Sequence, residues 1–379
     1  MGPCDTDREL TLALSRDPSL RRRFMVVDEP LHGNLRFGLL LEVLDKLAEE
    51  TALAYARSTY PDARVVTAAV DNILVRHPAD VTRDIQLLAR INHVGRSSME
   101  VGIRVSQPGD PPLHVASCYF TMVARLGVGD DARSVPLPPL TYAGTMGEKR
   151  ARRAEERRAE YRAQVAATQA PPTLEEFELL ARLHRIQEEP EFAGLLAGQL
   201  VTEAWERMFP EQENVPRKIF GGYVMRRAYE LSSISAELAA PDRPVLAAVN
   251  RVNFLNPVRL GDTLHYRSKI VDTEGSLVSV EASIERRSRD RNVRAISNSC
   301  LFTFVNVDAE MRPRHALPVY PTTYAEDARL LAAIQPRRLD VPARGEGPEA
   351  LSVIDRRSRL ALLTAAQLPG AQGGPHAST

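Results

Sequence analysis

Ser117-Cys118-Tyr119-Phe120-Thr121-Met122-Val123 and Ser299-Cys300-Leu301-Phe302-Thr303-Phe304-Val305 share five of seven residues, and both exchanges, Tyr for Leu and Met for Phe, keep the position apolar. The offset between them is 182 residues. Working outward, Ala68-Ala69-Val70-Asp71 matches Ala247-Ala248-Val249-Asn250, and His77-Pro78 matches Asn256-Pro257 at an offset of 179. Further upstream, Phe37-Gly38-Leu39-Leu40-Leu41 reads against Gly221-Gly222-Tyr223-Val224-Met225 at an offset of 184. The matches keep their order, and a drift of a few residues is what loop insertions between matched elements produce. The chain therefore contains a duplicated domain.

Each copy has the same grammar. Leu40, Leu41, Leu44, Leu47 and Ala48 recur at helical spacing and predict a buried helix from Gly38 to about Ala56. Val224, Met225, Ala228, Leu231 and Ile234 do the same from Gly222 to about Ala240. Alternating, β-rich runs follow each helix: 64–76, 84–93, 97–105 and 114–126 in the first copy, then 245–254, 263–272, 277–286 and 294–307 in the second. Short turns such as Gln107-Pro108-Gly109-Asp110 and Leu260-Gly261-Asp262 separate them. One long helix followed by four antiparallel strands, twice over, is an α+β architecture. The expected division is 20–127 and 176–310 for the two copies, 128–175 for a charged helical linker and 311–379 for a C-terminal extension with a frayed tail. Within the linker, Gly147 to Arg162 interleaves Glu and Arg. It reads as a solvated, salt-bridged helix, with a basic arm for a nucleic acid or a phosphate as the sharper alternative.

Composition excludes several function classes. Lys plus Arg (49) balances Asp plus Glu (49) over 379 residues, so no overall field draws in nucleic acid. Cys4, Cys118 and Cys300 are an odd, widely spaced set, which argues against a disulfide framework and a cysteine metal site. No apolar stretch approaches the roughly 20 residues of a membrane span. Asp5, Asp7 and Glu9 argue against an acid-poor transit peptide, so the expected location is the cytoplasm. Phosphate-loop, zinc-protease, serine-hydrolase and dinucleotide signatures are absent from the sequence, and the eight His lack metal spacing. No metal and no resident cofactor is expected.

The chemistry then falls to the two helix starts. The Gly221-Gly222 pair at the mouth of a buried helix lets a ligand approach the backbone and offers unpaired N–H groups at the positive end of the dipole. The same glycines could instead serve tight packing. Asp45 falls inside the apolar first helix, between Leu44 and Leu47, where a carboxylate is costly unless it is paired, exposed or used.

The linked features N-x-x-x-x-I-F-G-G-x-x-M (Asn214 to Met225), the following helix and V-N-F-L-N-P-V-R-L-G-D (Val252 to Asp262) resemble the acyl-CoA thioesterase branch of the hotdog superfamily. In that fold an antiparallel sheet wraps one long helix. The resemblance covers roughly 30–126 and 205–307, and the charged linker is similar to that of the long tandem members found in mitochondria. Mitochondria are thus the second choice of location.

The resemblance implies an active site between two hotdogs. It uses an Asn seven residues before the first glycine of one mouth and an Asp or Glu eight residues after the matching position of the other copy. Asn214 fits the first role and Asp45 the second, counted from Phe37. Their counterparts, Pro30 and Tyr229 with Glu230 one place on, mark a degenerate site, and Asn34 is at the wrong distance and reads as structural. The expected catalytic set is Asp45, Asn214, Gly221 and Gly222, with Phe220, Lys218 and Arg217 beside the substrate. Backbone N–H at Gly221 or Gly222 would hold the thioester carbonyl, Asp45 would act as base or nucleophile, and Asn214 would orient water or carbonyl. Coenzyme A enters only as part of substrate and product. The expected assembly is a homo-oligomer, a trimer of double hotdogs, without nucleic acid or a membrane span. The alternatives are an acyl-CoA-binding module without catalysis and an acyl-thioester dehydratase, for which His32 is the only His near a mouth.

Overall fold

The computed structural model describes residues 2–334, apart from 30–32, 128–130, 143, 169–170, 216–217 and 291, and leaves the side chains of 71–72, 146, 160–168, 213–215, 218 and 251 undescribed. In chain order the first half holds β1 (Arg8–Leu12), α1 (Pro18–Arg23), α2 (Phe37–Arg57), β2 (Arg64–Val75), β3 (Ile85–Val94), β4 (Ser98–Gln107), β5 (Leu113–Leu126) and β6 (Arg133–Ser134). The linking elements are α3 (Thr145–Thr168) and α4 (Leu174–Gln187). The second half holds β7 (Leu195–Leu196), β8 (Val201–Arg207), β9 (Glu213–Val215), β10 (Lys218–Ile219), α5 (Gly221–Glu237), β11 (Pro244–Phe254), β12 (Thr263–Glu274), β13 (Leu277–Arg287), β14 (Arg294–Asn306), β15 (Val319–Tyr320) and α6 (Tyr324–Ile334).

Ten strands form one continuous antiparallel path, β1-β3-β4-β5-β2-β11-β14-β13-β12-β8, and β6 pairs off it with β5. The duplication is visible in this order, since five strands on one side repeat as five on the other and the copies meet where β2 pairs with β11. The α+β expectation holds: two long helices are each wrapped by antiparallel sheet, a double hotdog. The expected strands lie where the alternation puts them, within two residues at most ends. The edge strands β1 and β8 carry weaker patterns and emerge only from their pairing with β3 and β12.

Helix α2 is buried along most of its length, with Leu40, Leu41, Leu44, Ala48 and Ala52 fully enclosed. Such a helix belongs inside a core rather than on a surface. α5 is less apolar and ends at Glu237, three residues before the expected Ala240, where the chain turns towards β11. Sheet and helices share one hydrophobic core that passes through both copies, from Phe120 and Ile73 in the first to Phe302 and Phe304 in the second.

The linker helix α3 departs from the solvated reading. Arg157 is paired with the buried Glu100 of β4, and its guanidinium lies 3.8 Å from the centre of the Tyr119 ring on β5. Glu–Arg interleaving hid a turn that docks on the outer face of the sheet, where Ala154 is also buried. After Thr173, α4 is opened by a reciprocal cap with Glu176, and its Leu179 packs against Leu330, Leu331 and Ile334 of α6.

Candidate active site

The two long helices lie against each other, and neither is capped by the side chain of the residue that opens it. Arg36 precedes α2 and Phe220 precedes α5, and neither makes a side-chain capping bond. The N–H groups of each first turn are therefore left for other partners. The approach to α5 is a small hairpin of β9 and β10. It is tied to the glycine mouth by Phe220 N–H donating to Gln212 C=O at 2.8 Å, and to the loop after β11 by Ile219 N–H donating to Val258 C=O at 3.0 Å.

What meets the α5 mouth is Asp45 of the other copy. A β-carbon at Gly222 would fall 3.0 Å from Asp45 Cβ and 2.8 Å from the Phe220 ring, and one at Gly221 would fall 3.5 Å from Asp45 Oδ2 and 3.0 Å from the Phe254 ring. A side chain at either position would have to push a neighbouring ring aside, and at 222 the Asp45 Cβ as well. The structure thus brings together Asp45, Gly221, Gly222 and Phe220. The side chains of Asn214 and Lys218, and all of Arg217, lie outside the described residues, as do Pro30 and His32.

Asp45 is fully buried. Burial pushes its carboxyl up to about 7, and the neighbouring Glu49 adds to the rise, against the Thr67 hydroxyl, the Gly222 N–H and Lys46, which pull it down. Thr67 Oγ1 donates to Asp45 Oδ1 at 2.7 Å, while Oδ2, on the side of Gly221, has no hydrogen-bond partner among the described residues. A carboxyl that changes charge near neutrality and keeps one oxygen unpaired at a helix N-terminus is equipped to take a proton or to face a ligand.

Thr67 was not singled out from the sequence, although a signal existed. At the 179-residue offset its repeat partner is Leu246, and both positions lie at a register shift, so a polar residue stands only on the side that serves Asp45.

The pseudo-equivalent site is filled. A β-carbon at Gly38 would fall 3.0 Å from the Tyr229 ring, which also packs against Phe37, Phe302 and Phe304. Burial pushes the Tyr229 hydroxyl up, and Glu230 beside it adds to the effect. Burial would also raise Glu230, but hydrogen bonds from Arg226, Arg36 and Arg227 outweigh it and hold that carboxyl below its ordinary value. The acid one place from the expected position is thus occupied by three guanidinium groups. Between the two mouths, Arg226 reaches across to Glu42 at 3.1 Å. Asn34, fully enclosed in its loop, accepts from Val26 and Val27 N–H and donates to Val27 and Glu29 C=O, which is the structural role expected of it. Among the described residues no cluster of metal-ligating side chains occurs, and no helix is long and apolar enough to cross a membrane.

Comparison with known proteins identifies the family. The thioesterase superfamily profile matches residues 32–112 and 218–292, one segment in each copy. Human mitochondrial acyl-coenzyme A thioesterase 9 is 27% identical over 343 residues, spanning 85% of this chain and 74% of that protein. Mitochondrial acyl-coenzyme A thioesterase 4 of Humulus lupulus is 30% identical, over 87% of this chain and 66% of its own length. Among solved structures, a Staphylococcus aureus acyl-CoA hydrolase in complex with butyryl coenzyme A and coenzyme A is 27% identical over 36% of this chain and 84% of that one, with a TM-score of 0.35. The cytoplasmic expectation is overturned, because the relatives matched over 85% of the chain are mitochondrial proteins. Acidic residues near the start were a poor guide to location. The chain belongs to the thioesterase superfamily and is related to the tandem hotdog acyl-CoA thioesterases, the mitochondrial ones among them.

Proposed function

We propose that this thioester hydrolase cleaves acyl-CoA to a carboxylic acid and coenzyme A at one composite site per chain, built from Asp45 of the first copy and the mouth of α5 in the second. The observation that carries the proposal is the placement of a fully buried carboxyl, ionising at about 7, against the Gly221-Gly222 backbone of the opposite copy. The names of the relatives supply the substrate class.

In this reading Asp45 is the general base. Its Oδ2 takes a proton from water as that water attacks the thioester carbon, and a base ionising near neutrality is matched to that task. Gly222 N–H faces the carboxylate, which leaves Gly221 N–H as the donor assigned to the carbonyl oxygen as it becomes an oxyanion. A single such donor is worth roughly 3 kcal/mol in the transition state. Thr67 fixes the carboxylate through Oδ1, so that Oδ2 keeps its aim. Asn214, on β9 in the hairpin that enters the mouth, is assigned to orienting the water or the carbonyl, and Phe220, Lys218 and Arg217 to contacts with the substrate. The thiolate of coenzyme A leaves as the tetrahedral intermediate collapses. Tyr229 in place of a carboxylate makes the second mouth non-catalytic. A trimer of double hotdogs belongs to the same proposal, and Leu10 and Trp205 on the edge strands are exposed apolar side chains available to such an assembly.

Release of coenzyme A thiol from short, medium and long acyl-CoAs, measured on wild type and Asp45→Asn, tests the proposal. Hydrolysis by the wild type that falls by at least about 100-fold in the variant is the expected result. Absence of turnover on every thioester tried would overturn it.

A further inference from the structure

The inner face of the second copy carries polar groups that the hydrolytic step does not use. Tyr266 of β12 pairs with Ile284 of β13, Ile284 with Asn298 of β14, and Asn298 with Phe254 of β11, so the four residues form one row across the sheet. Asn298 shares its strand face with Cys300 and Phe302, and Phe302 meets Tyr229 of α5, so the row faces the helix. At its end the Phe254 ring lies against Gly221, beside Asp45 Oδ2.

Tyr266 and Asn298 are each 2% exposed, yet Tyr266 Oη and Asn298 Nδ2 have no hydrogen-bond partner among the described residues. Buried polar groups are almost always paired, and leaving one unpaired is expensive. The other amide atom of Asn298 lies 2.6 Å from Ser297 Oγ, which also lies 2.8 Å from Asn256 C=O. A hydroxyl has one proton to give. If Asn256 receives it, the Asn298 amide must turn to donate to Ser297, and its carbonyl oxygen is then the unpaired atom. In either orientation one hydrogen-bonding atom of Asn298 is left over.

The duplication provides an internal control. The same row in the first copy is Leu87, Val105, Ala116 and Val75, joined strand by strand in the same way. All four are buried and apolar. Unpaired polar atoms thus occur on this row only in the copy whose helix mouth faces Asp45.

We infer that the row Tyr266–Ile284–Asn298–Phe254 receives the acyl part of the thioester and reads a hydroxyl group on it, so that the substrate class is a hydroxyacyl thioester. The inference rests on the hydrolase reading above. A hydroxyl both donates and accepts, so it satisfies Asn298 whichever way the amide is turned, and a hydroxyl placed further along the acyl chain would meet Tyr266 Oη. Neighbouring strands are about 4.8 Å apart, which places Asn298 one strand beyond the Phe254 ring and Tyr266 two strands further. An acyl chain leaving the carbonyl at Gly221 would meet Asn298 first.

The test compares kcat/KM on butyryl-CoA, 3-hydroxybutyryl-CoA and 4-hydroxybutyryl-CoA for wild type, Asn298→Leu and Tyr266→Phe. The expected result is a wild-type preference of about 10-fold or more for at least one hydroxylated substrate over butyryl-CoA, and a loss of most of that ratio in at least one of the two variants. Tyr266→Phe removes a single oxygen, so it decides the question if Asn298→Leu does not fold. Equal kcat/KM on the three substrates in the wild type, as a buried water satisfying the row would give, overturns the inference, and so does a preference that both variants retain. Butyryl-CoA hydrolysed without a hydroxyl preference sinks only this inference, whereas no hydrolysis of any thioester sinks the hydrolase reading itself.

Discussion

Asp45 and Gly222 belong to different copies of the repeat, yet a β-carbon at 222 would lie 3.0 Å from Asp45 Cβ. The same relation joins Tyr229 and Gly38, again at 3.0 Å from the would-be β-carbon to the facing side chain, and each facing residue lies seven positions after the glycine of its own helix. One geometry therefore occurs twice, with a carboxylate in one instance and a buried phenol in the other. The fold supplies the approach of helix mouth to helix flank, and the residue type decides whether chemistry is possible there.

Alanine at the two glycines separates these roles. Gly222→Ala forces a methyl against the Phe220 ring and the Asp45 side chain, and we predict a fall in kcat/KM of about 10- to 100-fold, from misplacement at the reacting centre. Gly38→Ala crowds Tyr229 and Arg226 to a similar degree but at the filled mouth. It should lower the melting temperature while leaving kcat/KM within about twofold, since off-site overpacking costs stability. Equal losses of activity in the two variants would contradict the assignment of one working site.

Thr67→Val removes the hydroxyl that donates to Asp45 Oδ1. That bond favours the charged carboxylate, so its loss moves the ionisation further up from about 7. Activity at pH 7 should drop by about 10-fold and recover in part at pH 9, because a carboxyl that ionises above neutrality is mostly protonated at pH 7 and cannot then act as a base. A loss that is the same at every pH would mean that Thr67 only positions its neighbour.

Asp45→Asn should stabilise the protein at alkaline pH. The folded carboxyl ionises at about 7, against an ordinary value of 3.8, so between those values the native state holds a proton that the unfolded chain has released. Wild-type stability therefore falls as pH rises from about 4 to about 7 and then levels off, a loss the amide does not share. Thermal melts should place the variant level with wild type near pH 4 and a few degrees above it at pH 8. A variant less stable than wild type at pH 8 would mean that the charge is better compensated than its burial implies.

Glu230 makes the opposite prediction. Its carboxylate gathers Arg36, Arg226 and Arg227 between the two helices, and Glu230→Ala removes that shared partner, so that Arg226 keeps Glu42 and Arg227 keeps Glu206. Urea unfolding at pH 7 should show a loss of about 1 to 3 kcal/mol. Its folded ionisation lies below the ordinary 4.5, so the stabilisation is complete above that value and disappears as pH falls through the lower folded one. The gap between variant and wild type should therefore narrow in acid.

The duplicated Ser-Cys-x-Phe-Thr-x-Val segment and the two helix mouths made the fold legible, because a repeat constrains what a single propensity pattern leaves open. Alternation located the central strands within a residue or two, since each buries one face. The edge strands β1 and β8, with mostly exposed or half-buried residues, left no such mark. Asp45 stood out as a charge in an apolar helix, and Gly221-Gly222 as an unexplained pair. Thr67 did not, because one threonine in a strand has no local signature. The repeat sets it against Leu246, but which helix flank faces it is decided by tertiary structure. The Tyr266–Asn298 row was hidden for the same reason, as its members are separated in sequence and joined only by register.

The central claim, that Asp45 is the base, is tested most directly by the pH dependence of kcat/KM on a hydrolysed acyl-CoA from pH 5 to 9. The account predicts that the rate rises with unit slope to a plateau, with its midpoint at about 7, where the buried carboxyl ionises, and that whatever activity Asp45→Asn retains shows no such rise. A profile that is flat across this range, or one that the Asn variant reproduces, would contradict it.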